Sequence, residues 1–308
     1  MAARATRSAS RKARLTEAVA TGPLGALRHD ELGVIFEGLA DPLQPVVAVA
    51  LSSTCLGLRT PLRPALEGLK ERHARAVALC EKMEMSCAEL RDDAMMDWGD
   101  AGLTADDMAT LGMLLSKWLP RLQRLWLHRN RYGDAAMQAL CEALGPGSAP
   151  SLHILMLDGN QFGPAGAEAL AAALGRGALP QLEGLYLDQC PIGNQGVAAL
   201  AAPLRTLPAL NEISLSSCEI GDEGVASLVD NLGKDDFKKL EMLAFQNNKI
   251  TDTGAATLVA AVDGTGLPAL MELLWSGNPC SEVASKAVYD ASRRAKARAG
   301  GGWRVPQV

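Results

Sequence analysis

Chemistry in this chain would have to start from seven cysteines, four histidines and scattered carboxylates. A cysteine acts as nucleophile or metal ligand when an exposed, electropositive setting stabilises its thiolate. Cys190, closing the stretch "LEGLYLDQC" that begins at Leu182, is the first candidate. A second is the set His128, Asp158 and Asp188, each 30 residues from the next. A chain repeating with that period would bring the three side together, and an imidazole with two carboxylates could bind a metal. Three ligands on a flat strand surface, without a fourth or supporting contacts, make a poor metal centre. Charged side chains on a solvated face are the ordinary alternative. The chain has no GxxxxGK[ST] phosphate loop, no HExxH helix, no GxSxG elbow and no dinucleotide-type glycine pattern after a strand. The expectation is a protein that is not an enzyme and uses no cofactor and no metal.

Whatever positions these residues is built mainly from Leu and Ala, because 48% of the 308 residues are hydrophobic but only 4% aromatic. The net charge of -5 conceals a division. Residues 1–14 carry five bases and no acid, and residues 286–308 carry six bases against Asp290 alone, which leaves -15 on residues 15–285. An acidic body argues against nucleic acid as its partner, since phosphate contacts need clustered Lys and Arg. Seven cysteines with irregular spacing and no CxxC do not form a disulfide framework, so a reducing compartment is expected, cytoplasmic or nuclear. There is no apolar signal region near the start and no run long enough to span a membrane. The opening "MAARATRSASRKAR" fits a disordered basic tail over 1–22, with an organelle transit peptide as the other reading. A monomer is expected.

Internal repetition organises the rest. "LQRLWLHRN" from Leu122, "LHILMLDGN" from Leu152, "LEGLYLDQC" from Leu182, "LNEISLSSC" from Leu210, "LEMLAFQNN" from Leu240 and "LMELLWSGN" from Leu270 all fit LxxLxLxxN/C, with Ile213, Phe245 and Trp275 as conservative swaps. A worn earlier copy runs through Met96, Trp98, Leu103, Met108, Leu111 and Leu115. After each strand-like stretch, apolar residues return at helical spacing, as at Val225, Leu228 and Leu232. Glycines such as Gly196, Gly224 and Gly254 leave room for close packing at the helix start. The pattern resembles the leucine-rich repeat of the long ribonuclease-inhibitor class, over residues 93–292 and about seven copies. That resemblance implies an α/β solenoid, a right-handed horseshoe with parallel strands on the concave side and helices on the convex side. No copy can bury its own apolar face, so stability comes from neighbours. Cys190 and Cys218 then occupy the slot held by Asn130, Asn160, Asn248 and Asn278. In this class the slot turns the chain out of the strand and bonds to loop backbone, and a buried thiol can serve as a weak donor. Cys190 is therefore read as structural.

The residues between the leucines point to the concave face. Trp126, Met156 and Tyr186 fall in one column, Arg124 and Glu212 in a second, and His128, Asp158 and Asp188 in a third. An apolar stripe flanked by charges is expected to grip a protein partner, since Trp, Tyr and Arg anchor interfaces; scattered surface aromatics are the alternative.

Two further segments precede the repeats. Residues 64–90 carry Leu66, Leu69, His73, Ala76, Cys80, Met83 and Cys87 at spacings of three and four, a packing stripe expected in a linker or capping helix over 63–92. Residues 23–62 resemble an F-box: an acidic "DEL" start, then Leu32, Ile35, Phe36 and Leu39 on one helical face, a break at "DPLQP", and a second apolar helix running into Cys55, Leu58 and Arg59. That resemblance implies docking of these four residues on the adaptor of a cullin-based ubiquitin ligase, with the repeats holding the substrate. The usual Leu-Pro opening is replaced by Arg28-His29, and a plain N-terminal cap is the other reading. Two alternatives for the whole chain are a GTPase-activating protein resembling the Ran activator and a ribonuclease-inhibitor-like scaffold with no ligase link. The last helix is expected to stop at Gly300 to Gly302, with 293–308 as a basic C-terminal tail.

Overall fold

The computed structural model describes residues 29–53, 56–233, 235–264 and 266–300. The expected tail over 1–22, the first residues of the F-box-like segment, Cys55 and residues 301–308 lie outside the described residues. The chain divides into two compact units, Met1–Arg91 and Asp92–Val308.

In the first unit α1 (His29–Leu39), α2 (Val46–Ser53) and α3 (Leu56–Lys82) pack around one small core, followed by α4 (Cys87–Asp92). The apolar stripe of α1 is wide, and only one edge of it turns inward. Leu32 and Phe36 join Ala40, Ala48, Leu62 and Leu69 in the core, and Phe36 is fully buried. Ile35 and Leu39, also one turn apart, are exposed. The four expected adaptor contacts thus do not share one accessible face: Leu32 and Phe36 are spent on folding. His73 does structural work as well, since its Nδ1 lies 2.7 Å from the Pro42 carbonyl in the α1–α2 turn. The boundary expected at 62/63 falls inside α3, so the F-box-like segment and the linker share one helix. The helical stripe expected over 64–90 is interrupted after Lys82, where the chain turns before α4.

The second unit is a seven-stranded parallel sheet in sequential order, each strand followed by a helix: an α/β leucine-rich-repeat solenoid. The strands are β1 (Met95–Asp97), β2 (Arg124–Trp126), β3 (Ile154–Met156), β4 (Gly184–Tyr186), β5 (Glu212–Ser214), β6 (Met242–Ala244) and β7 (Glu272–Leu274). The helices are α5 (Ala105–Lys117), α6 (Asp134–Glu142), α7 (Pro164–Gly175), α8 (Gly193–Thr206), α9 (Asp222–Val229), α10 (Asp252–Asp263) and α11 (Glu282–Arg298). Each strand is three residues long, and its middle residue points into the core: Met96, Leu125, Leu155, Leu185, Ile213, Leu243 and Leu273 form one buried row. The worn first copy is real, with Met96, Trp98, Leu103, Met108, Leu111 and Leu115 all buried. Helix α9 ends at Val229, so Leu232 lies beyond it and packs against Gly266. Each fully buried Leu contributes on the order of 1.5–3 kcal/mol.

Two ladders of polar side chains hold neighbouring copies in register. In the first, each Asn donates to a backbone carbonyl of the copy before it: Asn160 Nδ2 to Leu127 (2.9 Å), Asn248 to Leu215 (2.8 Å) and Asn278 to Phe245 (2.8 Å). Asn160 Oδ1 also accepts from the Asn130 N–H at 2.9 Å. Cys190 and Cys218 occupy the same rungs, their thiols meeting the Leu157 and Leu187 carbonyls at 3.3 and 3.0 Å. Burial pushes the Cys190 thiol up to about 12 and the Cys218 thiol further in the same direction. These are neutral donors, not nucleophiles.

The second ladder runs along the helix starts. The caps of α6, α7 and α9 are glycines, which offer no side-chain acceptor. For α7, α9, α10 and α11 the preceding copy supplies an acceptor. Asp134 accepts from the Gly163 and Gly166 N–H groups (2.7 and 2.8 Å), Asn194 from Gly221 (2.6 Å), Asp222 from Thr251 (2.8 Å) and Asp252 from Ser281 (2.6 Å). Caps normally come from the helix's own flanking residue, as Thr251 and Ser281 do for α10 and α11; the neighbour's side chain adds to these and stands in for them at α7 and α9, so helix formation and stacking reinforce each other. Gly224 shows why the helix start must be small, since a Cβ there would sit 2.7 Å from Ile220 Cγ2.

At the end of the array α11 continues through Arg298 and Ala299 caps it, with Gly300 next at φ +90°. Residues 293–298 of the expected basic tail are therefore helical. Arg294 grips Asp263 with two hydrogen bonds (2.9 and 2.7 Å), and Arg298 reaches the carbonyls that end α10.

Candidate functional site

With the leucines turned inward, the alternate strand positions form the open face of the sheet. The register pairs Trp126 with Met156 and Met156 with Tyr186 on three adjacent strands. Arg124 and Glu212 belong to the flanking column, separated by Ile154 and Gly184. All eight residues expected on this face, Arg124, Trp126, His128, Met156, Asp158, Tyr186, Asp188 and Glu212, are half-buried. None lies in the interior, and none stands fully free.

The reason for that half-burial is visible at Tyr186. Its ring folds back across Gly184, where a Cβ would come within 2.9 Å of Cε2. The hydroxyl donates to the Glu212 carboxylate on the next strand. Burial, then Glu212, raises the phenol above its ordinary range. The ring is therefore pinned flat, presenting an apolar face. His128 behaves alike at the other end: a Cβ at Gly99 would overlap its ring. Its Nδ1 is 4.0 Å from the Asp97 carboxylate. The Trp126 indole N–H is covered and has no acceptor among the described residues.

The two central acids hold the strand ends. Asp158 Oδ1 accepts from the Asp188 N–H at 2.8 Å, and Asp188 Oδ1 accepts from Ser214 Oγ and the Ser216 N–H, both at 2.6 Å. Burial, with the charge of Asp188 added, raises the Asp158 carboxyl to about 6. These bonds hold one oxygen of each carboxylate to the fold. Among the described residues no group of three or more His, Cys, Asp or Glu could hold a metal ion. The arrangement can do recognition: a flat aromatic–thioether–aromatic surface with a partly buried negative edge. Sequence pattern placed Gly99, Gly184 and Ser214 in these columns but not their effect on how His128, Tyr186 and Asp188 lie. The signal was a small residue beside a bulky one, in the adjacent copy for Gly99 and His128 and in the same strand for Gly184 and Tyr186.

A leucine-rich-repeat family model matches residues 148–171, 207–229 and 238–259. No curated protein matches the chain. Among solved structures the chain is similar to one titled crystal structure of TLR13–ssRNA13 complex, with 16% identity over 67% of this chain and a TM-score of 0.32. This chain spans 33% of that one. Leucine-rich repeats indicate a protein-binding scaffold. No helix among the described residues is long and apolar enough to cross a membrane.

Proposed function

We propose that the chain is a non-enzymatic receptor that holds a protein partner on the open sheet face around Trp126, Met156 and Tyr186, and that it does so as the substrate-recognition subunit of a cullin-based ubiquitin ligase. The observation that carries the first half is the pinned, half-exposed row of these three side chains in register on adjacent strands. Rigid aromatics lose little side-chain entropy on binding, which is why they anchor interfaces. Asp158, Asp188 and Glu212 beside the row favour a partner segment that adds a base to its apolar residues. No catalytic group is needed, because ubiquitin transfer would belong to the partners.

Support for the ligase half is narrower. The F-box-like pattern is joined by exposed apolar side chains on the first unit, Ile35 and Leu39 on α1 and Val46, Val47 and Val49 on α2. An adaptor would cover these, while Leu32 and Phe36 would support them from beneath. Affinity purification of the full chain tests both halves. The double variant Trp126→Ala, Tyr186→Ala should lose partner capture by at least tenfold with little change in melting temperature. Ile35→Asp should lose a co-purifying cullin adaptor while keeping the partner. Partner capture without any adaptor in the unaltered chain would leave a plain scaffold, and capture unaffected by the double variant would remove the open face as the site.

A further inference from the structure

Just ahead of the repeats in sequence, two cysteines meet at the turn between α3 and α4, with Cys80 Sγ and Cys87 Sγ 3.5 Å apart. A covalent S–S bond needs about 2.05 Å, so closing the gap takes a shift of roughly 1.5 Å.

Both sides of the turn are fixed by their own capping bonds. On the α3 side, the Met85 N–H reaches back to the Cys80 carbonyl at 3.0 Å and the Glu84 N–H to the Glu81 carbonyl at 3.1 Å. Glu84 takes a left-handed conformation, φ 54°, as this type of helix end requires. On the α4 side, Ser86 and Glu89 form a reciprocal capping box: the Ser86 N–H donates to Glu89 Oε2 at 2.7 Å, and the Glu89 N–H to Ser86 Oγ at 3.2 Å. That bond to the Ser86 backbone holds the Glu89 carboxyl below its ordinary range. Two capping motifs sharing a short turn present Cys80 and Cys87 to each other by construction.

We infer that Cys80 and Cys87 are a redox-modification site, converted by a hydroperoxide into a reversible intramolecular disulfide. The two sulfurs divide the work by exposure. Cys87 is half-buried and open to oxidant, whereas Cys80 is 2% exposed. In the first step the Cys87 thiolate attacks a peroxide oxygen, the O–O bond breaks, and the leaving alkoxide or hydroxide takes up a proton. Cys87 is left as a sulfenic acid. In the second, Cys80 sulfur attacks Cys87 sulfur, the S–O bond breaks, and the departing hydroxide takes the Cys80 proton as water. The thiols lose two electrons together and the peroxide gains them. Burial, reinforced by Cys87, pushes the Cys80 thiol up to about 12. Cys80 therefore supplies no stabilised thiolate of the kind that favours the reduced form, and the bond once formed should resist mild reductants. The site is independent of the open sheet face and of the proposed ligase role.

Peptide mapping of the full chain tests this directly, because trypsin cuts after Lys82, between the two cysteines. After treatment with hydrogen peroxide, "AVALCEK" and "MEMSCAELR" should be recovered joined, two hydrogens lighter than their sum, and separated by dithiothreitol. The oxidised protein should show an upward shift of about 3–8 °C in the melting of its first unit. Cys87→Ser, with its fold checked by circular dichroism, should abolish the joined peptide. Cys80→Ala should leave Cys87 as a sulfenic acid that dimedone labels. Peroxide that yields Cys87 sulfinic acid, or disulfides through Cys280, without the joined peptide would overturn the assignment.

Discussion

The two units use the same apolar residues and end in opposite surface states. In the repeat unit each copy's leucine row is covered by the next, and the exposed large hydrophobics sit at the array's two ends: Met95 on β1, and Val283 and Tyr289 on α11. Among the described residues of the first unit five exposed hydrophobics, Ile35, Leu39, Val46, Val47 and Val49, lie on two short helices around a core of six buried residues. A repeat fold removes apolar surface by stacking, so what it leaves outside is set at the alternate strand positions. A small helical unit has no neighbour copy to do this. Its leftover apolar edge is either a cost in solubility or a surface that something else covers.

The largest effect that separates these cases is truncation inside versus outside. Leu185→Ala removes a fully buried side chain from the central strand, touching the copies on both sides, and should cost about 3–4 kcal/mol in urea unfolding. Ile35→Ala removes an equally apolar side chain from an exposed edge and should change stability by less than about 0.5 kcal/mol. A large loss at Ile35 would mean that the first unit has no spare surface, and the contrast between the units would fail. A smaller effect compares rungs within the repeat ladder. Asn160→Ala leaves the buried Asn130 N–H without its acceptor and takes donors from the Leu127 and Leu157 carbonyls, a loss of about 2 kcal/mol. Cys190→Ala removes a single thiol donor and should cost about 1 kcal/mol. Equal costs would show that the slot is read for size alone and not for hydrogen bonding.

Most of the second unit was legible because its two periods, thirty residues along the chain and two along each strand, are set by Leu positions that tolerate few substitutes. Strand register, the Asn/Cys slot and the inward row all follow from them. The caps supplied across copies by Asp134, Asn194, Asp222 and Asp252 were not foreseen, because a cap is ordinarily sought beside its own helix and these partners lie 27 to 32 residues away. The first unit was harder for a different reason. Leu32, Ile35, Phe36 and Leu39 all fit a single wide apolar stripe, and spacing cannot say which edge the second and third helices will cover. On the open face the columns were legible but the side-chain poses were not. Whether Tyr186 stands up or lies down depends on the absence of a side chain at Gly184, two residues before it in its own strand.

The smallest expected effect concerns the acids of the repeat unit, which fall into two kinds with opposite pH behaviour. Asp252, capping the next helix start, is held below its ordinary range by the Ser281 N–H. Its contribution is present above the ordinary carboxylate pKa and is lost as pH falls through the lowered value. Asp158, on the open face, is raised to about 6 by burial and by Asp188. Between the unfolded value near 3.8 and the folded value near 6 the folded chain holds the extra proton, so this residue's contribution is greatest in acid and falls as pH rises through 6. Asp158→Asn keeps an oxygen for the Asp188 N–H and removes the charge. It should therefore raise stability by about 1 kcal/mol near pH 7.5, with the gain shrinking to nothing below about pH 4. Melting curves of variant and parent at both pH values cancel every other titration they share. A gain independent of pH would mean that the carboxylate is not held at a cost. A gain that vanishes in acid would mean that the open face carries an ionised group at neutral pH against the preference of the fold, which is the condition under which a cation on an arriving partner binds most tightly.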